Sequence, residues 1–247
     1  TASIRWFGGA GQQPAPFEVP IELFQHQIAA LAADCDQVIV IGTSFGAEAA
    51  LVVASTGCAR QGAISPDPAA PDSFDVAMET SVGTITLRSR RAWAPHGVDR
   101  FHRLVSEGFY NDVRFFRVVP GFIIQFGLSG DPKATAKWEA APIVDDTVKV
   151  TNKRGTVVFA RAGQNSRTSQ LFFNTVDNGL MLDAADGFGF PPFAEITSGV
   201  EVLDKIFQGY GEAPDQGRIM SAGNAYLQEN FPKLDYIKSA KVTSHWP

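Results

Sequence analysis

The first patterned stretch of the chain has apolar residues at helical spacing. In VPIELFQHQIAALAAD, Ile21, Phe24, Ile28 and Leu31 recur at steps of three and four. Pro20 stands at the start and Glu22 falls in the first turn, so the spacing predicts a helix with one buried face. Val38 to Ile41 is a run of four β-branched apolar residues, expected as a strand covered on both faces. A small-residue helix is expected over Ala47 to Thr56 with Gly57 as its stop, then a further short strand at Gly62 to Ser65. Helix, strand, helix, strand is an α/β pattern.

From residue 74 the period drops to two. FDVAMET and GTITLRS alternate on either side of Ser81-Val82-Gly83, which reads as a hairpin. APHGVDRFHRLVSEGF returns to helical spacing, with Val98, Phe101, Leu104 and Val105 on one face. Strand-like runs follow in VRFFRVV, FIIQFG, GTVVFAR, SQLFFNTV and FAEI, then a second short helix in GVEVLDKIF and a last strand in IKSAKV. Many short strands with two helices predict a closed antiparallel barrel with helical caps. Between the two textures, SPDPAAPDS places three prolines in nine residues, the mark of a linker. The expected organisation is an incomplete α/β segment over 1–66, a linker over 67–73, a mainly β domain over 74–243 and a loose tail over 244–247.

Composition adds only exclusions. The chain has 247 residues, 45% hydrophobic and 19% charged, as in an ordinary globular protein. Its net charge of −5 lies wholly in residues 1–72, where Arg5 and Arg60 face seven acidic residues; the rest is balanced. No basic stripe supports a nucleic-acid partner. No apolar run is long enough for a membrane span. Cys35 and Cys58 do not make a disulfide framework. A first residue of Thr1 points to a removed leader, a tag or an upstream part. The cytoplasm is the compartment expected, with a processed secretory or periplasmic form as the alternative. Oligomeric state is not legible.

Two constellations carry chemistry. Gly42-Thr43-Ser44-Phe45-Gly46 fits G-x-S-x-G between a predicted strand and helix, the setting in which a strained turn exposes a nucleophilic serine. Over roughly residues 4–66 this segment resembles the α/β-hydrolases, and RWFGG upstream adds to the likeness. A serine nucleophile needs a histidine after it in this fold, and His96, His102 and His245 are poor candidates on or beside β-domain elements. Ser44 is therefore a doubtful nucleophile in what reads as a hydrolase remnant. The second constellation lies in FFRVVPGFIIQFG and SQLFF. Ile123 and Gln125 share a strand face, as do Gln170 and Phe172. Arg117 stands alone among apolar residues, either snorkelling to the surface or placed for a purpose.

With GTVVFARAGQNSRTSQLFFN, FAEITSGVEVLDKI and GNAYLQENFPKLDYIKSA, these motifs make residues 74–243 resemble the cyclophilins, the peptidyl-prolyl cis–trans isomerases. The resemblance implies an eight-stranded antiparallel barrel capped by two helices, with a groove on its outside. Arg117 would be the catalytic arginine. Phe122, Ile123, Phe172 and Leu182 would form the proline pocket. Gln125 and Gln170 would hold the substrate backbone or the arginine, while Ala160 and Arg161 border the groove through their main chain. Proline-containing peptides and unfolded chains would be the partners, and neither cofactor nor metal is called for. The ordinary alternatives are a surface ion pair for Arg117, solvated strand positions for the glutamines and core packing for the apolar residues. Arg161 replaces an asparagine common in the family. Met181 stands where many eukaryotic members carry tryptophan, which implies weak cyclosporin binding. Two other functions stay open at this stage: an ester or acyl-thioester hydrolase using Ser44, and a peptide-binding module without catalysis.

Overall fold

A computed structural model describes residues 35–43, 50–58 and 66–246. The chain divides into two compact units, 1–63 and 64–247. In the first unit, β1 (Cys35–Thr43) pairs antiparallel with β2 (Ala50–Cys58), Cys35 opposite Cys58 and Thr43 opposite Ala50. The strand expected at Val38 to Ile41 falls within β1. The helix expected over Ala47 to Thr56 is corrected: Ala50–Cys58 is a strand, in keeping with the extended preference of Val52, Val53 and Thr56. Most of the α/β segment expected over 1–66 lies outside the described residues. Ser44 itself lies outside them.

The second unit is an antiparallel sheet curled around one core. Its strands are β3 (Ser73–Thr80), β4 (Thr84–Arg90), β5 (Val113–Arg114), β6 (Arg117–Val119), β7 (Ile123–Phe126), β8 (Thr156–Phe159), β9 (Leu171–Asn174), β10 (Pro192–Ser198) and β11 (Tyr236–Trp246). They lie in the order β5-β11-β3-β4-β10-β8-β9-β7-β6, every neighbouring pair antiparallel. The eight-stranded closed barrel expected is therefore a nine-stranded curled sheet, because Phe115 and Phe116 interrupt VRFFRVV and split it into two edge strands.

Alternation explains where the core sits. Phe74, Val76 and Met78 of β3, Ile124 and Phe126 of β7, Val157 and Phe159 of β8, and Leu171 and Phe173 of β9 all point inward and are buried. Phe126 stacks on Phe173 with ring centroids 4.9 Å apart. Each buried phenylalanine contributes about 1.5–3 kcal/mol of transfer free energy. One open end is closed by α1 (Pro95–Ser106), whose Val98, Phe101, Leu104 and Val105 enter the same core as the spacing predicts. Pro95 opens this helix, and Asp146 caps it from a distant loop by accepting from the N–H groups of His96 (3.1 Å) and Gly97 (2.9 Å). Arg167, fully buried, pairs in turn with Asp146 and Asp145, each at 3.1 Å.

Two caps become four helices among the described residues. Beside α1 are α2 (Pro132–Glu139), α3 (Gly179–Leu182) and α4 (Gln216–Asn230). GVEVLDKIF forms only a 3₁₀ turn over Val200–Lys205. A separate cluster of Phe116, Leu128, Ile219, Tyr226, Leu227 and Leu234 seats α4. At Gly223 (φ +59°) the backbone of α4 bends and crosses Gly130, whose carbonyl oxygen would lie 2.0 Å from any added Cβ.

Both ends of the expected β domain need correction. The loose tail over 244–247 is strand up to Trp246, because Ser244, His245 and Trp246 continue the ladder opposite Asp75, Phe74 and Ser73. Trp246 also lies under the Arg88 guanidinium, 4.6 Å from its ring centroid. The linker is packed: Asp67 pairs with Arg100 at 2.8 Å and Arg103 at 3.3 Å, and the buried Ala70 donates its N–H to Asp99.

Candidate active site

The outer faces of β6 to β9 carry the candidate site. Where Ile124 and Phe126 point in, Ile123 and Gln125 point out; where Leu171 and Phe173 point in, Phe172 points out. The ladder sets them side by side, with Arg117 opposite Gln125 and Gln125 opposite Phe172. Between β6 and β7 the chain reverses at Val119-Pro120-Gly121-Phe122. Proline fixes the first corner, and Gly121 (φ +71°) takes the left-handed second corner. The Phe122 N–H closes the turn onto the Val119 carbonyl at 3.0 Å.

On this face Ile123, Val158, Phe172 and Leu182 form a buried apolar floor, and Phe122, Ala160 and Phe190 form its half-exposed wall. Phe190 meets Phe172 edge-on at 5.9 Å. Beside the floor runs a line of polar heads. Gln125 donates from Nε2 to Gln170 Oε1 at 2.9 Å, and its own Oε1 accepts from Arg117 Nη1 at 3.2 Å. The opposite edge of the Arg117 guanidinium meets Glu212, with Nε to Oε1 at 2.6 Å. Its side chain is 26% exposed, so the charge reaches solvent while its stem and one edge are held.

The wall is fixed by a buried amide network. Asn178 Nδ2 donates to the Phe122 carbonyl (2.9 Å) and to Asn174 Oδ1 (2.7 Å). Asn174 Nδ2 donates to Asn152 Oδ1 (3.0 Å) and Thr156 Oγ1 (2.8 Å). Asn152 Nδ2 donates to the Phe190 carbonyl and to Asp183 Oδ1, both at 2.8 Å. One chain of amides thus ties the backbone of Phe122 to that of Phe190, on opposite parts of the wall.

The structure brings Arg117, Phe122, Ile123, Gln125, Ala160, Gln170, Phe172 and Leu182 to one face. Arg161 turns away from the polar line. It donates from Nη2 to the Gly189 carbonyl at 3.0 Å and covers the Phe190 ring at 4.7 Å, so it braces the wall. Met181 is exposed at the margin. Sequence reasoning missed Val158, Phe190, Glu212 and the asparagines. Val158 was readable, two positions before Ala160 on the same strand; Phe190 and Glu212 lie in loops without period.

Among the described residues no group of three His, Cys, Asp or Glu is gathered to hold a metal ion. No helix among them is long and apolar enough to cross a membrane. A hollow of about 340 Å³ lies elsewhere, beside Trp93, Lys153, Arg154 and Glu195. Two of its charged groups are already paired, Arg154 with Asp204 at 2.8 Å and Glu195 with Arg90 at 3.0 Å.

The described residues of the second unit thus form a curled antiparallel sheet with an external apolar pocket, lined on one side by an arginine and two glutamines. Residues 75–224 match the family described as "Cyclophilin type peptidyl-prolyl cis-trans isomerase/CLD", and the chain belongs to it. It is 39% identical to the peptidyl-prolyl cis-trans isomerase A of Dickeya dadantii over 184 residues, 73% of this chain and 90% of that protein. It is 32% identical to the peptidyl-prolyl cis-trans isomerase B of Escherichia coli over 174 residues, 68% of this chain and 99% of that one. A solved cyclophilin-type isomerase from Cryptosporidium parvum superposes with a TM-score of 0.51 at 20% identity, covering 70% of this chain and 99% of its own, a likeness of fold. The same protein was also crystallised in the presence of the dipeptide Ala-Pro, with a TM-score of 0.50 at 20% identity, covering 69% of this chain and 99% of that one.

Proposed function

We propose that this protein is a peptidyl-prolyl cis–trans isomerase that turns Xaa-Pro bonds in peptides and folding chains, with Arg117 as its catalytic residue. The observation that carries the reading is the Arg117 guanidinium, held by Gln125 beside the floor of Ile123, Val158, Phe172 and Leu182. Family membership and the names of the relatives support the reaction.

The chemistry asked of the site is small. Amide resonance sets a rotation barrier of about 18–20 kcal/mol. Uncatalysed exchange at proline takes roughly tens to hundreds of seconds. At the twisted transition state conjugation is lost and the proline nitrogen regains its lone pair. A guanidinium N–H aimed at that nitrogen is worth more there than in either planar state, which is the condition for catalysis. The apolar floor holds the pyrrolidine ring while the acyl side turns. Gln125 and Gln170 offer amide groups to the peptide backbone and keep the arginine in place. No covalent bond is broken in this reaction.

The test is exchange spectroscopy on a short Xaa-Pro peptide with the full chain and with Arg117→Ala. Losing one such preorganised donor lowers kcat/KM by roughly 10²–10³-fold. An unchanged rate in Arg117→Ala would remove the assignment.

A further inference from the structure

The Arg117 guanidinium has five N–H donors, and the structure accounts for three. Nε and Nη2 face one oxygen of Glu212, and Nη1 gives one hydrogen to Gln125. What remains is one hydrogen on each Nη. The two tethers come from opposite sides. Gln125 is in the ladder opposite Arg117, whereas Glu212 comes from a loop 95 residues further on. That loop is anchored. The Gly211 carbonyl accepts from the Val118 N–H at 3.0 Å, one residue along from Arg117. Tyr210 packs edge-on against Phe207 and Phe231. The carboxylate itself is largely exposed, with 62% of its side chain open, so it is placed at the rim by its backbone and not by burial.

We propose that Glu212 is a positioning residue for the isomerisation: it takes the Nε side of Arg117 and so presents the two Nη hydrogens to the substrate. This rests on Arg117 being the catalytic residue. A single hydrogen bond to Gln125 leaves the plane of the guanidinium free to turn about that bond. A second tether on the opposite edge fixes the plane. Because the planar fork is rigid, fixing one edge fixes the direction of the other.

The experiment compares Glu212→Ala and Glu212→Gln with the wild-type full chain in the Xaa-Pro exchange assay, with Arg117→Ala and the double variant Arg117→Ala/Glu212→Ala alongside. Glu212→Ala is expected to lower kcat about tenfold with KM little changed, the pattern of an interaction that matters in the transition state. Glu212→Gln keeps an acceptor oxygen and is expected to recover most of that loss. The double variant is expected to be no slower than Arg117→Ala alone, because Glu212 acts only through the arginine. The Arg117 Nε–H resonance in the free protein is expected to shift in Glu212→Ala and to stay near its wild-type position in Glu212→Gln. Wild-type kcat in Glu212→Ala overturns the proposal, as does a rise in kcat, which would make the carboxylate a quencher of the guanidinium. Additive losses in the double variant overturn it too. Full activity in Arg117→Ala instead overturns the assignment of the arginine on which the proposal stands.

Discussion

Asn178 gives the sharpest test of how the pocket wall is held. Its amide orientation is forced, because the Phe122 carbonyl can only accept and so must face Nδ2. Truncation to Ala removes two hydrogen bonds; the Phe122 carbonyl keeps the Thr175 N–H at 3.0 Å, while Asn174 Oδ1 loses the Asn178 donor. Asn178 and Asn174 are 4% and 0% exposed, so water does not readily replace the lost donor. At about 1–3 kcal/mol for the buried acceptor left unsatisfied and about 1 kcal/mol for the bond lost at the Phe122 carbonyl, Asn178→Ala is expected to lose about 2–4 kcal/mol of stability. That is a large part of the roughly 5–15 kcal/mol a domain has. Asn178→Asp has nearly the same shape yet is expected to cost at least as much near neutral pH, since a carboxylate would then face two acceptor oxygens. Its deficit should shrink as the pH falls, because a protonated carboxyl restores one donor. Both variants should also raise KM for an Xaa-Pro peptide, since they leave the carbonyl of the wall residue Phe122 with one tether, the Thr175 N–H, in place of two. Urea unfolding at two pH values, with peptide exchange alongside, reads all of this. Near-wild-type stability of Asn178→Asp near neutral pH would refute the argument, because it would mean the amide network does not hold the wall.

Two further outcomes concern the frame around the site. Arg167→Met strands Asp145 and Asp146 in a buried setting and is expected to cost about 3–5 kcal/mol in urea unfolding, because one partner of a buried pair is lost while the other stays charged. Burial holds the His102 imidazole below the usual histidine range, and nearby His245 lowers it further while Asp99 opposes both. The unfolded chain then takes up its proton first, so this stabilisation is present above the ordinary histidine value of about 6.5 and is lost as the pH falls through the lower folded value. Melting curves from pH 8 to 5 check it: His102→Gln should flatten part of that fall, and an unchanged slope would refute the assignment.

Alternation made most of the β domain legible. FDVAMET, GTITLRS, FIIQFG, GTVVFAR, SQLFFNTV and FAEI each lie on one of the observed strands, because a sheet with one face on a core imposes period two on its sequence. Where the constraint is not periodic, legibility fails. The long helix α4 contains Gly217 and Gly223 and buries few side chains, so no apolar stripe announces it. In α2 only Thr135 and Trp138 are buried, and Asp131-Pro132 is its one start signal. The short apolar run of β2 reads as a helix in the sequence but forms a strand, since periodicity does not separate the two over so few residues. At the candidate site, Arg117, Gln125 and Phe172 stand in strands whose alternation sets their face, while the roles expected of them come from the family resemblance. Glu212 and Phe190 reach it through loops whose path depends on tertiary packing.

The same alternation explains why this face suits a reaction without bond breaking. The task proposed for Arg117 is to hold a charge still while the substrate moves, so stabilisation depends on dipoles that need not reorganise at the transition state. Each outward side chain here is flanked along its strand by inward neighbours locked in a close-packed core: Val118 next to Arg117, Ile124 and Phe126 around Gln125, Leu171 and Phe173 around Phe172. The rigidity of the site is therefore inherited from the core, one residue away. It follows that shortening Phe126 or Phe173, which touch no substrate, disturbs the register of Gln125 and Phe172 as well as lowering stability.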